Sequence, residues 1–339
     1  MTRKSYTTSL TLQSLKKYTG FSLVELMVAI ALGIFLVLGV TNILFSGQQS
    51  FNATNRIARV QENGQLAKNM LIDDLKRARY MGPNIELQNL AGTAIAANPN
   101  VVDSAPTCNA NWGLMIRQGL FGLDNNDIDN NGAIYACITG INVNPGIRVP
   151  GTDILTVRYA SPWQATIFNA QALYIRSTFT NSWIFTGNNV NNAANDEQSS
   201  GIAGVTDTDP INSTHELIAY SYYVGNSGRQ CAGQAIPSLF RVGLDNNGQP
   251  QREEIFPGIE DFQVQFSVDG TTYQDADAVT DWSTVRATQI WLLARSECQE
   301  GGHNDNRTYT LAGIDYTPNN GNGDGFRRQL YTSISSHRN

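Results

Sequence analysis

The chain has 339 residues, of which 41% are hydrophobic and only 15% charged, so it can build a folded core and is not a disordered polymer. Its net charge is −6, yet the first twenty residues carry Arg3, Lys4, Lys16 and Lys17 and no acid, and losing those four positive charges takes −6 to −10. So acidic a remainder lacks the basic footprint of nonspecific nucleic-acid binding, and no direct nucleic-acid partner is expected.

From Leu26 to Phe45 the sequence runs twenty residues without a charge. As a helix this stretch spans about 30 Å, the thickness of a bilayer core. Lys16 and Lys17 precede it, which places the N-terminus in the cytoplasm and the remainder outside. A secretory signal peptide is a poor fit, because the apolar run is long and no small-residue cleavage site ends it. A plain signal anchor fits the length but leaves Glu25 unexplained at the entrance to the run. A carboxylate near lipid is costly, and favourable placement in the first turn of a helix offsets only part of that cost.

The segment Gly20-Phe21-Ser22-Leu23-Val24-Glu25, behind Lys16-Lys17 and ahead of the apolar helix, resembles the leader of type IV pilins. The resemblance implies that a prepilin peptidase cuts between Gly20 and Phe21 on the cytoplasmic side and methylates the new amino terminus at Phe21. It also implies that Glu25 pairs with the terminal ammonium of a neighbouring subunit during assembly. Such a pair would match two charges in a low-dielectric setting and fix axial register.

Beyond Phe45, apolar or small residues recur at Ile57, Val60, Gly64, Ala67, Leu71, Leu75 and Ala78, with Arg56, Arg59, Lys68, Asp73, Lys76 and Arg77 between them. Steps of three and four predict an amphipathic helix that buries this stripe, and Gly82-Pro83 is a stop signal. One helix from about Ser22 to Tyr80 is expected, with a small-xxx-small pair at Ala29 and Gly33.

After residue 83 short strand-like runs alternate with Asn/Gly/Pro loops. The candidates are Trp112–Arg117, Asp153–Tyr159, Ala172–Ser177, Leu217–Val224, Ser238–Leu244, Phe262–Val268, Ala287–Ala294 and Gln329–Ser335. A long helix on an antiparallel sheet is an α+β arrangement, and it is also the pilin fold. The expected organisation is a leader at 1–20, a hydrophobic transmembrane and assembly helix at 21–45, its amphipathic continuation at 46–82, and a periplasmic β-rich head at 83–339. The tryptophans Trp112, Trp163, Trp183, Trp282 and Trp291 read as core or strand-face residues.

Four segments narrow the resemblance to the PilW family of minor pilins: Gln61–Gly64 with Asp74–Gly82, Pro150–Arg158, Phe256–Val264, and Gly325–Tyr331. The family implies a structural subunit, not an enzyme, with other minor pilins, the major pilin, the prepilin peptidase and the inner-membrane assembly platform as partners. It further implies a bacterial inner-membrane location before entry into a pilus, and roles in priming, at the tip, and in motility, adhesion or DNA uptake. The alternative is a minor pseudopilin of type II secretion, or a membrane-anchored adhesin or enzyme.

The four cysteines, Cys108, Cys137, Cys231 and Cys298, form no CxxC pair, and the three histidines are scattered, so a zinc site is poorly supported. In an oxidising compartment two disulfides are favoured, preferably Cys108–Cys137 and Cys231–Cys298, with free buried thiols as the alternative. Asp127, Asp129 and Asn131 match the first half of a calcium loop, but Ile138 stands where a bidentate Glu is needed. Asp, Asn and Gly are also turn residues, so no cofactor is expected beyond a calcium ion there. No catalytic constellation is present in the motifs.

Overall fold

The computed structural model describes residues 20–83, 90–92, 119–125, 145–178, 182–189, 213–245 and 250–337. The chain divides into two compact units, Met1–Thr54 and Asn55–Asn339. The fold is α+β and pilin-like, with one long apolar N-terminal helix and a mostly antiparallel β-sheet domain.

Helix α1 is Leu23–Arg77, 55 residues. In the first unit its residues are almost all exposed, from Leu23 through Phe51. Its charge-free run from Leu26 to Phe45 is long and apolar enough to cross a membrane.

In the second unit the predicted stripe becomes core: Val60, Gly64, Ala67, Leu71, Leu75 and Ala78 are buried. Ile57, expected on the same stripe, is instead exposed, so burial begins one turn later. The helix also ends earlier than expected, at Arg77. Arg79 adopts the left-handed conformation at φ 70° and turns the chain before Gly82 at φ 78° does so again. A left-handed non-glycine is costly, and Arg79 is held there by its own contacts. Its N–H donates to the Arg158 carbonyl at 3.0 Å, and its guanidinium donates to the carbonyls of Val285, at 2.8 Å, and Trp282.

The strands run in chain order as β1 (Leu90–Gly92), β2 (Leu120–Leu123), β3 (Ile147–Arg148), β4 (Ile154–Gln164), β5 (Leu173–Ser177), β6 (Ser182–Thr186) and β7 (Ser213–Cys231). There follow β8 (Gln234–Leu244), β9 (Pro250–Pro257), β10 (Ile259–Ser267), β11 (Ala287–Arg295), β12 (Tyr309–Leu311), β13 (Ile314–Tyr316) and β14 (Arg328–Ser336). Among the described residues the larger sheet has the path β1-β6-β5-β7-β4-β2, with β3 and β8 also on β7, and β9 on β8. The smaller sheet is β10-β11-β14, and β12 and β13 form a separate ribbon.

Long β7 organises the larger sheet by changing partners along its length. Its start pairs with β5, its middle with β4, and its end with β3 and β8. A bulge between Asn226 and Gln230 lets the strand continue to Cys231. The inner faces of both sheets meet the α1 stripe in one core containing Tyr222, Val224 and Leu239 from one sheet and Phe262, Val264, Phe266, Ile290 and Leu292 from the other. Alternation of Phe262, Val264 and Phe266 is therefore a core face, as their spacing predicts. Trp282 packs half-buried beside Phe266, whereas Trp163 is exposed rather than packed. The Trp112–Arg117 candidate and the Trp183 side chain lie outside the described residues.

Gly64 is where the smaller sheet comes closest to the helix. A Cβ there would overlap the Tyr331 ring, whose hydroxyl reaches the Gln61 carbonyl at 3.2 Å. Gly64→Ala should cost about 1–3 kcal/mol by overpacking, outweighing the gain of about 1 kcal/mol in helix propensity. In a Tyr331→Ala background the same change should become stabilising, which a double-mutant cycle by denaturant unfolding in detergent measures.

Candidate functional site

Gly20 and Phe21 lie outside the helix and are exposed. Ser22 caps it: its carbonyl accepts the Leu26 N–H and its Oγ accepts the Glu25 N–H, both at 3.1 Å. Ser22 and Glu25 thus occupy the two ends of a capping-box pattern, with Glu25 in the first turn where the helix dipole favours an acid. The Gly20–Phe21 bond therefore sits in accessible, non-helical backbone directly ahead of a fixed start point.

The four segments that carry the family resemblance turn out to be the places where elements are joined. Asp74 is buried in the middle of the α1 stripe. Its carboxylate accepts the Tyr159 hydroxyl from β4 at 2.6 Å and the Tyr222 hydroxyl from β7. Arg77, one turn on, stands 3.6 Å away. Burial first, and then the adjacent carboxylate, push both tyrosines up, so they remain hydroxyl donors. The helix is thereby bonded to two neighbouring strands of the larger sheet. Asn63 does the same toward the third segment, donating to the Pro257 carbonyl at 3.0 Å.

Asp153, directly before β4, docks the second segment on the third. Its N–H donates to the Phe262 carbonyl at 2.9 Å, and its carboxylate accepts the N–H groups of Val264 at 2.8 Å and Asn125 at 3.0 Å. Gln263 completes the seam, donating to the Gly151 carbonyl and to Asp261, both at 2.8 Å. Burial raises the Asp153 pKa well above the ordinary carboxylate range against the pull of those backbone donors, and Asp124 and Asp261 add repulsion. Asp261 is raised to about 6, chiefly by burial, with Glu260 contributing repulsion.

Arg328, at the start of β14, is buried and faces three carboxylates. It donates to Glu260 at 2.5 and 3.1 Å, to Asp324 at 2.6 and 2.8 Å, and to Asp305 at 3.4 Å. Arg307 and Tyr309 also donate to Asp305, at 2.9 and 2.7 Å. Burial works against the Arg328 charge, but the hydrogen bonds to Asp324 and Glu260 outweigh it and raise its pKa. Asp305 and Asp324 are correspondingly lowered: burial pushes each upward, and their arginine partners prevail. Arg295, a neighbouring buried cation that stands 3.5 Å from Glu260, stacks 3.8 Å from the Phe326 ring centre. Glu260 belongs to the third segment and Arg328 to the fourth, so this network ties them together.

Cys231 and Cys298, one of the two favoured sequential pairs, form a disulfide between the β7–β8 turn and the loop after β11. Cys108, Cys137 and the calcium-like residues Asp127, Asp129 and Asn131 lie outside the described residues. Among the described residues, Asp124, Asp275 and Asp277 bring their oxygens within 4.8 Å of one another. Sequence reasoning did not single out Asp74, Asp153 or Arg328. The first had a legible signal, an acid in phase with an apolar stripe; the others lie beside strands, where a charge says nothing about its partner.

Arg328→Met would leave three carboxylates without their common cation, and it should cost about 3–5 kcal/mol, with part recovered by adding Glu260→Gln. Urea unfolding of the purified chain reads both. Asp261 behaves differently. Its folded pKa of about 6 lies above the unfolded value of 3.8, so the stability it contributes is complete at low pH and is lost as pH rises through about 6. Asp261→Asn should therefore stabilise the chain by about 1–3 kcal/mol at pH 7.5 and by progressively less toward pH 4. Denaturant midpoints across that range check the slope.

Two family models match the chain. Residues 15–41 match the prokaryotic N-terminal methylation motif, and residues 221–339 match Type IV Pilus-assembly protein W. No curated protein and no solved structure matches it. The second match begins within β7 and takes in β8 to β14, including the Arg328 network and the disulfide. The apolar helix and the methylation motif fit a membrane-anchored pilin. With a prepilin motif at its start and a PilW domain in its head, the chain matches the PilW-family type IV pilins, a structural rather than a catalytic family, and these features support a type IV pilus-related minor pilin.

Proposed function

We propose that the chain is a minor pilin that joins other minor pilins in the complex that primes pilus assembly and caps the filament tip. The observation that carries this reading is the presence on one chain of a prepilin methylation motif and a PilW domain. In this reading the peptidase cuts between Gly20 and Phe21, the Phe21 amine is methylated, and the apolar half of α1 stays in the inner membrane with the head in the periplasm. Lys16 and Lys17 support that orientation.

Cutting at this point leaves a positive terminus about one helical turn, roughly 6 Å, from Glu25. Glu25 is exposed and its side chain faces away from any core, so it is available to a neighbour. A carboxylate and an ammonium in a lipid-like environment each lower the cost of the other. Helix packing among subunits can then select the axial position at which the charges meet.

Peptide mass spectrometry of membranes from cells with and without prepilin peptidase tests the reading. The expected outcome is a chain beginning at N-methyl-Phe21 only when the peptidase is present; an uncut chain, or one cut beyond residue 45, overturns it. Glu25→Gln should still be cut but should enter sheared filaments at about one tenth of the normal level or less, the loss expected from about 1.4 kcal/mol of missing pairing.

A further inference from the structure

A sheet edge is a row of unpaired N–H and C=O groups, and folded proteins normally protect it with charge, proline, a bulge or a covering segment. Two edges in this head are protected in those ways. Strand β9 carries Arg252, Glu253 and Glu254 between Pro250 and Pro257, and its ladder with β8 is broken by a register shift. Strand β10 is covered by Asp153, whose backbone and carboxylate take up Phe262 and Val264, and by a bridge from Phe266 to Gln274. Strand β14, on the opposite side of the same small sheet, has none of these devices among the described residues. From Gln329 to Ser336 it contains no charge and no proline, and its ladder with β11 runs from Arg328 to Ser336 without a register shift.

The direction of its backbone groups follows from the ends of that ladder. The Ser296 N–H donates to the Arg327 carbonyl and the His337 N–H to the Arg286 carbonyl. Odd-numbered β14 residues therefore bond to β11, and Leu330, Thr332, Ile334 and Ser336 turn their N–H and C=O groups to the open side. At one end Arg307 donates to the Arg328 carbonyl at 3.3 Å, and the Gln329 amide takes the Leu330 carbonyl at 3.3 Å. Beyond these, nothing among the described residues pairs with the open groups of Thr332, Ile334 and Ser336. Thr332, Ile334 and Ser336 are also exposed in their side chains.

We propose that the open edge of β14, centred on Thr332 and Ile334, accepts an extended uncharged strand from another subunit of the same filament. This rests on the filament reading above. Strand addition takes its affinity from main-chain hydrogen bonds and its selectivity from alternate side chains. The receiving stretch from Leu330 to Ser336 is about 20 Å long at ordinary strand rise. On its outer face lie Leu330, Thr332 and Ile334, with Trp291 opposite Thr332 on β11. An incoming strand with β-branched or apolar residues at every second position would extend that face. A second copy of this edge, uncharged from Gln329 to Ser336, brings no acid to the exposed Arg307 guanidinium that stands beside the strand. A partner strand followed by an acid would meet complementary charge at that end.

The test uses the full chain, purified in detergent, mixed in turn with purified pilin subunits from the same cells, with amide hydrogen exchange resolved by residue. With one of these subunits, the amides of Leu330, Thr332, Ile334 and Ser336 should exchange at least about tenfold more slowly, while Tyr331, Ser333 and Ser335 stay as they were. Thr332→Pro removes a donor and Ile334→Lys adds a charge on an exposed position, and each should abolish the protection. Unchanged exchange elsewhere in the head shows that the variants are folded; Ile334→Lys keeps the test open if the proline variant is not. Protection that appears without an added subunit and rises with this chain's own concentration identifies a second copy and overturns the proposal. No protection by any subunit also overturns it. The mass of the amino terminus in the same preparations separates the two readings. A processed chain without protection sinks the edge proposal alone, whereas an unprocessed chain sinks the filament reading on which it rests.

Discussion

A buried guanidinium must be met by carboxylates in the right geometry, or the chain cannot close around it. Arg328 sets that condition for the C-terminal part of the head. Its three acids come from three places: Glu260 on β10, Asp305 before β12, and Asp324 in the loop leading into β14. All three must be in position before the charge is compensated, so β10, β14 and the β12–β13 ribbon are fixed together. Three residues further along β14, Tyr331 lies on Gly64. The ion network therefore determines where the last strand sits on the helix, and with it which way the open edge of that strand faces.

The larger sheet is held to the same helix by a different device. Asp74 is an acid on the buried stripe whose main partners are two neutral phenols. Hydrogen bonds to a charged acceptor are stronger than neutral ones, and a phenol keeps its proton far above physiological pH when buried beside an anion. Tyr159 and Tyr222 lie on adjacent paired strands, so one carboxylate registers both against α1. A hydrophobic stripe alone would allow the helix to slide or rotate by a residue. The two polar anchors, Asp74 and the Gly64–Tyr331 contact, remove that freedom.

Much of this architecture was legible in the sequence where a single periodicity decides the matter. The charge-free run before Phe45 and the stripe from Val60 to Ala78 locate the helix, and alternation at Phe262, Val264 and Phe266 locates a core strand. Strand limits were less visible. Strand β7 was read only as Leu217–Val224, because Gly225-Asn226-Ser227-Gly228 has the composition of a turn. A bulge carries the strand through those residues to Cys231. Strand β9 was missed because it is charged and bounded by prolines, the marks of an edge rather than of a buried strand. The assembly terminus was legible as a motif. The polar seams were not, because Asp153 and Arg328 acquire their meaning from residues more than sixty positions away, Val264 and Glu260, and no local pattern encodes such a pairing.

The two edges of the small sheet carry this distinction into function. Closing β10 with Asp153 is expensive: the carboxylate sits against Asp124 and Asp261, and burial drives its pKa up. A chain that accepts that cost to seal one edge, and places charges and prolines on the β9 edge, is under pressure to avoid unwanted strand pairing. Leaving β14 uncharged and regular under the same pressure is then informative. Its inner face cannot be the reason, since that face is already occupied by the contact of Tyr331 with α1. Among the described residues the edge groups of Thr332, Ile334 and Ser336 have no such use. Selection against indiscriminate pairing would have placed a lysine at Thr332 or Ile334 at little cost to the core, because both side chains are exposed. The bare edge is therefore best understood as retained for a strand supplied from outside the chain.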